Sequence, residues 1–177
     1  MQKFILDAMM GRLARWLRIL GYDTLYNNSY EDWKIIKIAQ NEKRIIVTRD
    51  RGLCARALKI GIECFLALPA DSVIITLAKL SLKYDIDLSV NLDASRCSVC
   101  NGILRKVEKN KWLCTSCNKE YWKGKHWSTI PEILIKAQKE REKMYEQYKH
   151  PRTRSREGED SSQISKKSDR EEIKTIK

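Results

Sequence analysis

The sequence lacks any stretch long and apolar enough to span a bilayer, which takes about 20 consecutive apolar residues. It also lacks a signal-peptide core, because the opening Met1-Gln2-Lys3-Phe4-Ile5-Leu6-Asp7 meets an acid too early. Membrane-spanning and secretory classes are therefore set aside, and a cytoplasmic location is expected. No internal repeat is present. Acidic residues are in short supply, with 23 Asp and Glu against 35 Lys and Arg, a net charge of +12. The excess is not confined to the tail, since residues 1–135 carry +8 and residues 136–177 carry +4. Such a balance favours polyanions, nucleic acid among them.

What is there suffices for one domain, a small module and a tail. The chain has 177 residues, 42% of them apolar. Lys3–Asp7 reads as a short strand ending in an acid. Gly11–Leu20 reads as a helix, with Leu13, Trp16, Leu17 and Leu20 on one face and Gly21 as its stop. Thr24–Tyr26 is a second strand. Ser29 followed by Asp32 resembles a capping box for a helix to about Asn41. Arg44–Thr48 is a buried strand ending at Arg49-Asp50. A helix follows to Ile60, then an apolar strand over Ile62–Leu68. Pro69-Ala70-Asp71-Ser72 makes a turn and cap, and Val73–Tyr84 is amphipathic. Alternating strands and helices predict an α/β domain with a small parallel sheet of four or five strands covered on both faces. The expected divisions are an α/β domain over 1–92, a cysteine module over 93–130, a helical extension over 131–149 and a disordered charged tail over 150–177. That tail is too polar to offset its ordering entropy by burial.

The cysteines carry the sharpest local pattern. Cys97-Ser98-Val99-Cys100 is followed, thirteen residues on, by Cys114-Thr115-Ser116-Cys117. Each C-x-x-C forms a knuckle offering two thiolates, and four sulfurs in a tetrahedron suit zinc. A closed shell of four cysteines leaves no open position, so the predicted role is structural. Gly102 stands where a knuckle turn would use it. Cys54 and Cys64 lack such partners and read as buried small hydrophobes.

Three strands end in acids: Asp7, Asp50 and Asp71. In open parallel sheets, sites form beyond the carboxyl ends of strands at the switch point of the topology. If the chain returns to the other side of the first strand, Asp7 and Asp50 become neighbours there. Two close carboxylates are relieved by Mg²⁺ or Mn²⁺, which also takes a phosphate oxygen. The alternative is capping, open for Asp50 and Asp71 and, through its capping box, for Asp32.

Several longer motifs resemble the Mut7-C family, a group of PIN-like predicted ribonucleases with a zinc ribbon. They are Asp7-Ala8-Met9-Met10-Gly11-Arg12-Leu13-Ala14-Arg15-Trp16-Leu17-Arg18-Ile19-Leu20-Gly21-Tyr22-Asp23, Thr48-Arg49-Asp50-Arg51, Arg96-Cys97-Ser98-Val99-Cys100-Asn101-Gly102 and Tyr121-Trp122-Lys123-Gly124-Lys125-His126-Trp127. The resemblance implies a PIN-like α/β fold, a zinc ribbon and a metal-dependent nuclease site built from acids. It places Asp7 and Asp50 at that site, with Asp32 and Asp71 completing it. The chain departs from the family pattern where Ser98 replaces a usual proline, and where it extends past residue 132.

For RNA, Arg12, Arg15 and Arg18 recur every three residues just after Asp7, and Arg49 and Arg51 flank Asp50. Trp122, Lys123, Lys125 and Trp127 mix rings with cations, as binding of unpaired bases requires. The same residues also fit a solvated Arg face and tryptophans packing the ribbon, and His126 fits a local hydrogen-bonding role. The expected function is an RNA endonuclease using Mg²⁺ or Mn²⁺, with a structural zinc. The alternative is a non-catalytic protein bound to RNA, such as ribosomal RNA or the ribosome.

Overall fold

In the computed structural model, residues 1–124 and 129–149 are described. Four strands form a parallel sheet: β1 (Lys3–Leu6), β2 (Asp23–Tyr26), β3 (Ile45–Thr48) and β4 (Cys64–Leu66). The order is β2-β1-β3-β4. Helices α1 (Gly11–Ile19), α2 (Asp32–Glu42), α3 (Arg51–Lys59) and α4 (Val73–Tyr84) alternate with the strands. A single 3₁₀ turn, Ala8–Met10, joins β1 to α1.

Alternation along β1 divides the core in two. Phe4 and Leu6 face a cluster with Leu13 and Leu17 of α1 and Leu77 and Leu80 of α4, while Ile5 faces Ile35, Leu53 and Ala57 of α2 and α3. Period-two strands clad by helices on both faces give this doubly covered sheet. The last helix, α5 (Thr129–Lys149), returns to the first cluster and buries Leu134 and Ala137 there.

Residues 104–122 form a three-stranded antiparallel sheet of β5 (Leu104–Glu108), β6 (Lys111–Cys114) and β7 (Glu120–Trp122). Its small core holds Cys97, Leu104, Trp112 and Cys114. Gly21 ends α1 as expected, at φ +92°, and a side chain there would strike the Ala94 carbonyl oxygen at 2.7 Å.

Two local expectations change. Ser29 does not cap α2: its hydroxyl and N–H bind Asn27 Oδ1, and Glu31 takes the N-cap position. An Asx turn at Asn27 competes for Ser29. Cys54 and Cys64 are buried as expected, but they are joined to each other in a disulfide, with Cα atoms 5.6 Å apart. Pairing α3 with β4 brings two apolar-looking positions within bonding reach. No described helix is long and apolar enough to cross a membrane.

Candidate active site and metal centre

The switch point lies between β1 and β3, because β2 lies on the other side of β1. Leu6 pairs with Val47, so the next residues, Asp7 and Thr48, leave the sheet side by side. Asp7 is only 7% exposed. Its Oδ1 accepts the Met9 N–H at 2.9 Å, capping the 3₁₀ turn, and its Oδ2 accepts the Thr48 hydroxyl. Thr48 Oγ1 accepts the Asp50 N–H at 2.8 Å. One hydroxyl thus joins the Asp7 carboxylate to the backbone of Asp50. Asp50 caps α3, with Oδ1 accepting the N–H groups of Gly52 at 2.6 Å and Leu53 at 3.0 Å. Its Oδ2 has no protein partner among the described residues. Capping therefore occupies one oxygen of this carboxylate and leaves the other open.

Asp32 and Asp71 are placed differently. Asp32 forms an ion pair with Arg56 of α3. A side chain at Gly52 would meet both Asp50 Oδ1 at 3.1 Å and the Arg56 guanidinium at 3.4 Å, so Asp32 borders the cluster across an intervening cation. Asp71 closes its own turn by accepting the Leu68 N–H, and Lys79 holds its carboxylate at 2.7 Å. Ser72, its neighbour, caps α4. Arg49 donates to the Asp71 backbone carbonyl at 2.9 Å. Among the described residues, no three carboxylates come within common reach of one ion.

The four cysteines do. Their sulfurs lie within 4.8 Å of one another, as Cys97–Cys117 at 3.6 Å and Cys100–Cys114 at 3.4 Å illustrate. A tetrahedron with Zn–S bonds of 2.3 Å has edges of about 3.8 Å, so these residues could hold one metal ion such as zinc. The two knuckles repeat each other. Asn101 N–H reaches the Cys97 carbonyl at 2.9 Å and Asn118 N–H the Cys114 carbonyl at 3.0 Å, and both asparagines are left-handed. Gly102 itself has ordinary φ; a side chain there would meet Cys114 Sγ at 2.8 Å. Burial pushes the Cys97 thiol up, but hydrogen bonds from Tyr121 and the backbone of Cys100 and Val99 outweigh it and hold it at about 6. Burial and neighbouring thiols push Cys100 up to about 12. Crowded thiols cannot all ionise without a cation among them.

The first knuckle is fastened to the parallel sheet. Arg18, 3% exposed, donates to the carbonyls of Thr24 at 2.9 Å, Val99 at 2.9 Å and Ser98 at 3.2 Å. It does not share the exposed face of Arg12 and Arg15. Asn101 Oδ1 accepts the Thr24 N–H at 3.0 Å, and its amide donates to Asp23 at 2.7 Å. Thr48 and Asn101 both stand in motifs that carry the family resemblance, but the sequence alone assigns neither a role. The C-x-x-C-N pattern, present twice, is the signal that could have found Asn101. Arg51 is exposed beside Asp50, and Trp122 and Lys123 are exposed on and after β7. Lys125, His126, Trp127 and the tail over 150–177 lie outside the described residues.

A family model described as Mut7-C RNAse domain matches residues 2–112. The matched span takes in Asp7, Thr48, Asp50 and the first knuckle, and stops before Cys114. No curated protein and no solved structure matches the chain.

Proposed function

From the premise that the chain belongs to the Mut7-C RNAse domain family, we propose that it is a metal-dependent RNA endonuclease acting at Asp7, Thr48 and Asp50. The observation that carries this reading is the Thr48 hydroxyl, which links the Asp7 carboxylate to the Asp50 backbone N–H at the switch point of the parallel sheet. The Oδ2 of Asp50 and the remaining lone pairs of the Asp7 carboxylate would hold Mg²⁺ or Mn²⁺. Such an ion would stabilise negative charge on a phosphodiester and make water a usable nucleophile at neutral pH. Thr48 positions Asp7 by donating to one oxygen, leaving lone pairs free on both. Arg12 and Arg51, exposed beside the acids, hold the phosphates of the RNA. The four cysteines bind zinc and keep the ribbon folded; they take no part in cleavage.

The test is cleavage of a labelled single-stranded RNA with Mn²⁺. Asp7→Asn loses activity by about 10²-fold or more, with circular dichroism and zinc content unchanged. Thr48→Val loses about 10- to 100-fold, as removal of a ligand's supporting partner does, and Thr48→Ser restores most of it. Unaltered cleavage by Asp7→Asn would sink the site. A second reading, a non-catalytic RNA- or ribosome-binding protein, draws on the pairing of Asp32 with Arg56 and Asp71 with Lys79. Salt-dependent RNA binding by the parent chain, with no cleavage under any divalent metal, would favour it.

A further inference from the structure

A groove of about 750 Å³ separates α1 from the ribbon. Its floor is apolar, with Leu104 and Trp112 buried at the base. Trp112 is anchored by its indole N–H to Asp93 Oδ1 at 2.9 Å. Tyr121 forms one wall, and its ring is fixed because the hydroxyl lies 3.0 Å from Cys97 Sγ and 3.2 Å from Ser98 Oγ. Trp122, on the rim, is 69% exposed, an unusual position for so large an apolar side chain. Arg15 enters from α1 and Lys119 from the ribbon. Neither is held in an ion pair with a described residue. Glu120, the one acid on the rim among the described residues, pairs with Lys111 at 3.0 Å.

Fixed and exposed rings beside free cations match the two faces of an unpaired nucleotide. A base stacks on an aromatic ring, and its phosphate meets a cation. A duplex presents neither an open base face nor a shape that enters such a groove. The groove also connects with the acids. Arg12 lies one turn from Arg15 towards the N-terminus of α1, and α1 begins directly after the turn that Asp7 caps. A cationic track therefore runs along one helix from the groove to the switch point.

We infer that this groove holds a single-stranded RNA segment, with bases on Trp122 and Tyr121 and phosphates on Arg15 and Lys119, and feeds it along α1 to the acidic site. The inference rests on the ribonuclease reading for its end point, but binding is measured apart from cleavage. The specificity that follows is for unpaired RNA, cut at a set distance from the bases the ribbon grips.

The experiment is fluorescence anisotropy of a fluorescein-labelled oligouridylate with the full chain and no added Mg²⁺ or Mn²⁺. Trp122→Ala weakens binding about tenfold or more, and Trp122→Phe retains most of it. Arg15→Ala lowers the slope of log affinity against log salt by roughly one. Lys37→Ala, on the outer face of α2, changes neither. Unlabelled oligouridylate displaces the probe far better than an RNA duplex of equal length. Parent-like binding by Trp122→Ala, or equal displacement by the duplex, overturns the inference. Binding is read without a divalent cation and cleavage with Mn²⁺, so a failed groove leaves the cleavage result for Asp7 standing, and a failed acidic site leaves the binding result standing.

Discussion

Asp23 joins three parts of the molecule through one carboxylate. It receives Arg44 in a bidentate pair at 2.9 and 3.1 Å and Asn101 of the first knuckle at 2.7 Å. Burial alone would raise its pKa, but Arg44 and Asn101 outweigh it and hold the carboxyl below the ordinary range. A carboxyl lowered in the folded state stabilises fully above its unfolded value of about 3.9, and that contribution is lost as pH falls through the folded value. Asp23→Asn is therefore expected to cost about 1–3 kcal/mol at neutral pH. In thermal unfolding the gap to the parent stays level from pH 7 to about 5 and closes below about 4. A gap independent of pH would remove the charge from this account. Other residues were legible to different degrees. Asp7 and Asp50 were readable because each ends a strand, and chain order brought them to one edge. Thr48 was not, because its partner is 41 residues away and a hydroxyl after Val47 reads as ordinary strand. Arg18 was misplaced for a geometric reason. Residues three apart on a helix with 3.6 residues per turn drift by about 60° per step, so the third arginine is rotated about 120° from the first. That rotation turns Arg18 into the joint between α1, β2 and the ribbon.

The edge strand β2 would leave its outer N–H groups unpaired without a neighbour. Asn101 supplies an acceptor for Thr24, and Arg18 a donor for its carbonyl. Both hold the knuckle in the same step, so the cysteine module covers the sheet edge as well as folding on itself. If zinc maintains the knuckle, its removal must reach β2. Chelation is expected to speed exchange of the Thr24 amide by at least tenfold in hydrogen-exchange mass spectrometry or NMR, while Ile46 of β3 stays protected. Ile46 is fully buried between β1 and β4, out of reach of the ribbon. Equal exchange at Thr24 before and after chelation would show that the ribbon and sheet are energetically independent. The ribbon's cysteine cluster was readable because knuckle geometry is local, two cysteines with two residues between. Its docking was not, because the contacts to Asp23, Thr24 and Arg18 span about 80 residues of chain.

Across the whole molecule, long-range closure decides what the local patterns leave open. The Cys54–Cys64 bridge spans ten residues and locks α3, whose N-terminus Asp50 caps, to the edge strand β4. Closing so short a loop contributes about 2–3 kcal/mol. Replacing both residues by alanine is expected to lower stability by about that amount in denaturant unfolding, with the zinc content untouched; an unchanged midpoint would mean the two thiols are not bridged in solution. Helix α5 likewise returns to bury Leu134 and Ala137 against the first core, although its sequence reads as a charged extension. By itself the sequence determined the alternation of strands and helices, the grouping of the four cysteines and the acids at the strand ends. Each of these depends on spacing within a few residues, where periodicity and ligand geometry act directly. Only the tertiary structure decided that β1 and β3 are neighbours, that Thr48 joins Asp7 to Asp50, that Arg18 is a buried joint and that Cys54 has a partner. Those depend on which surfaces meet, and burial of the two core clusters brings together residues that the linear spacing leaves far apart.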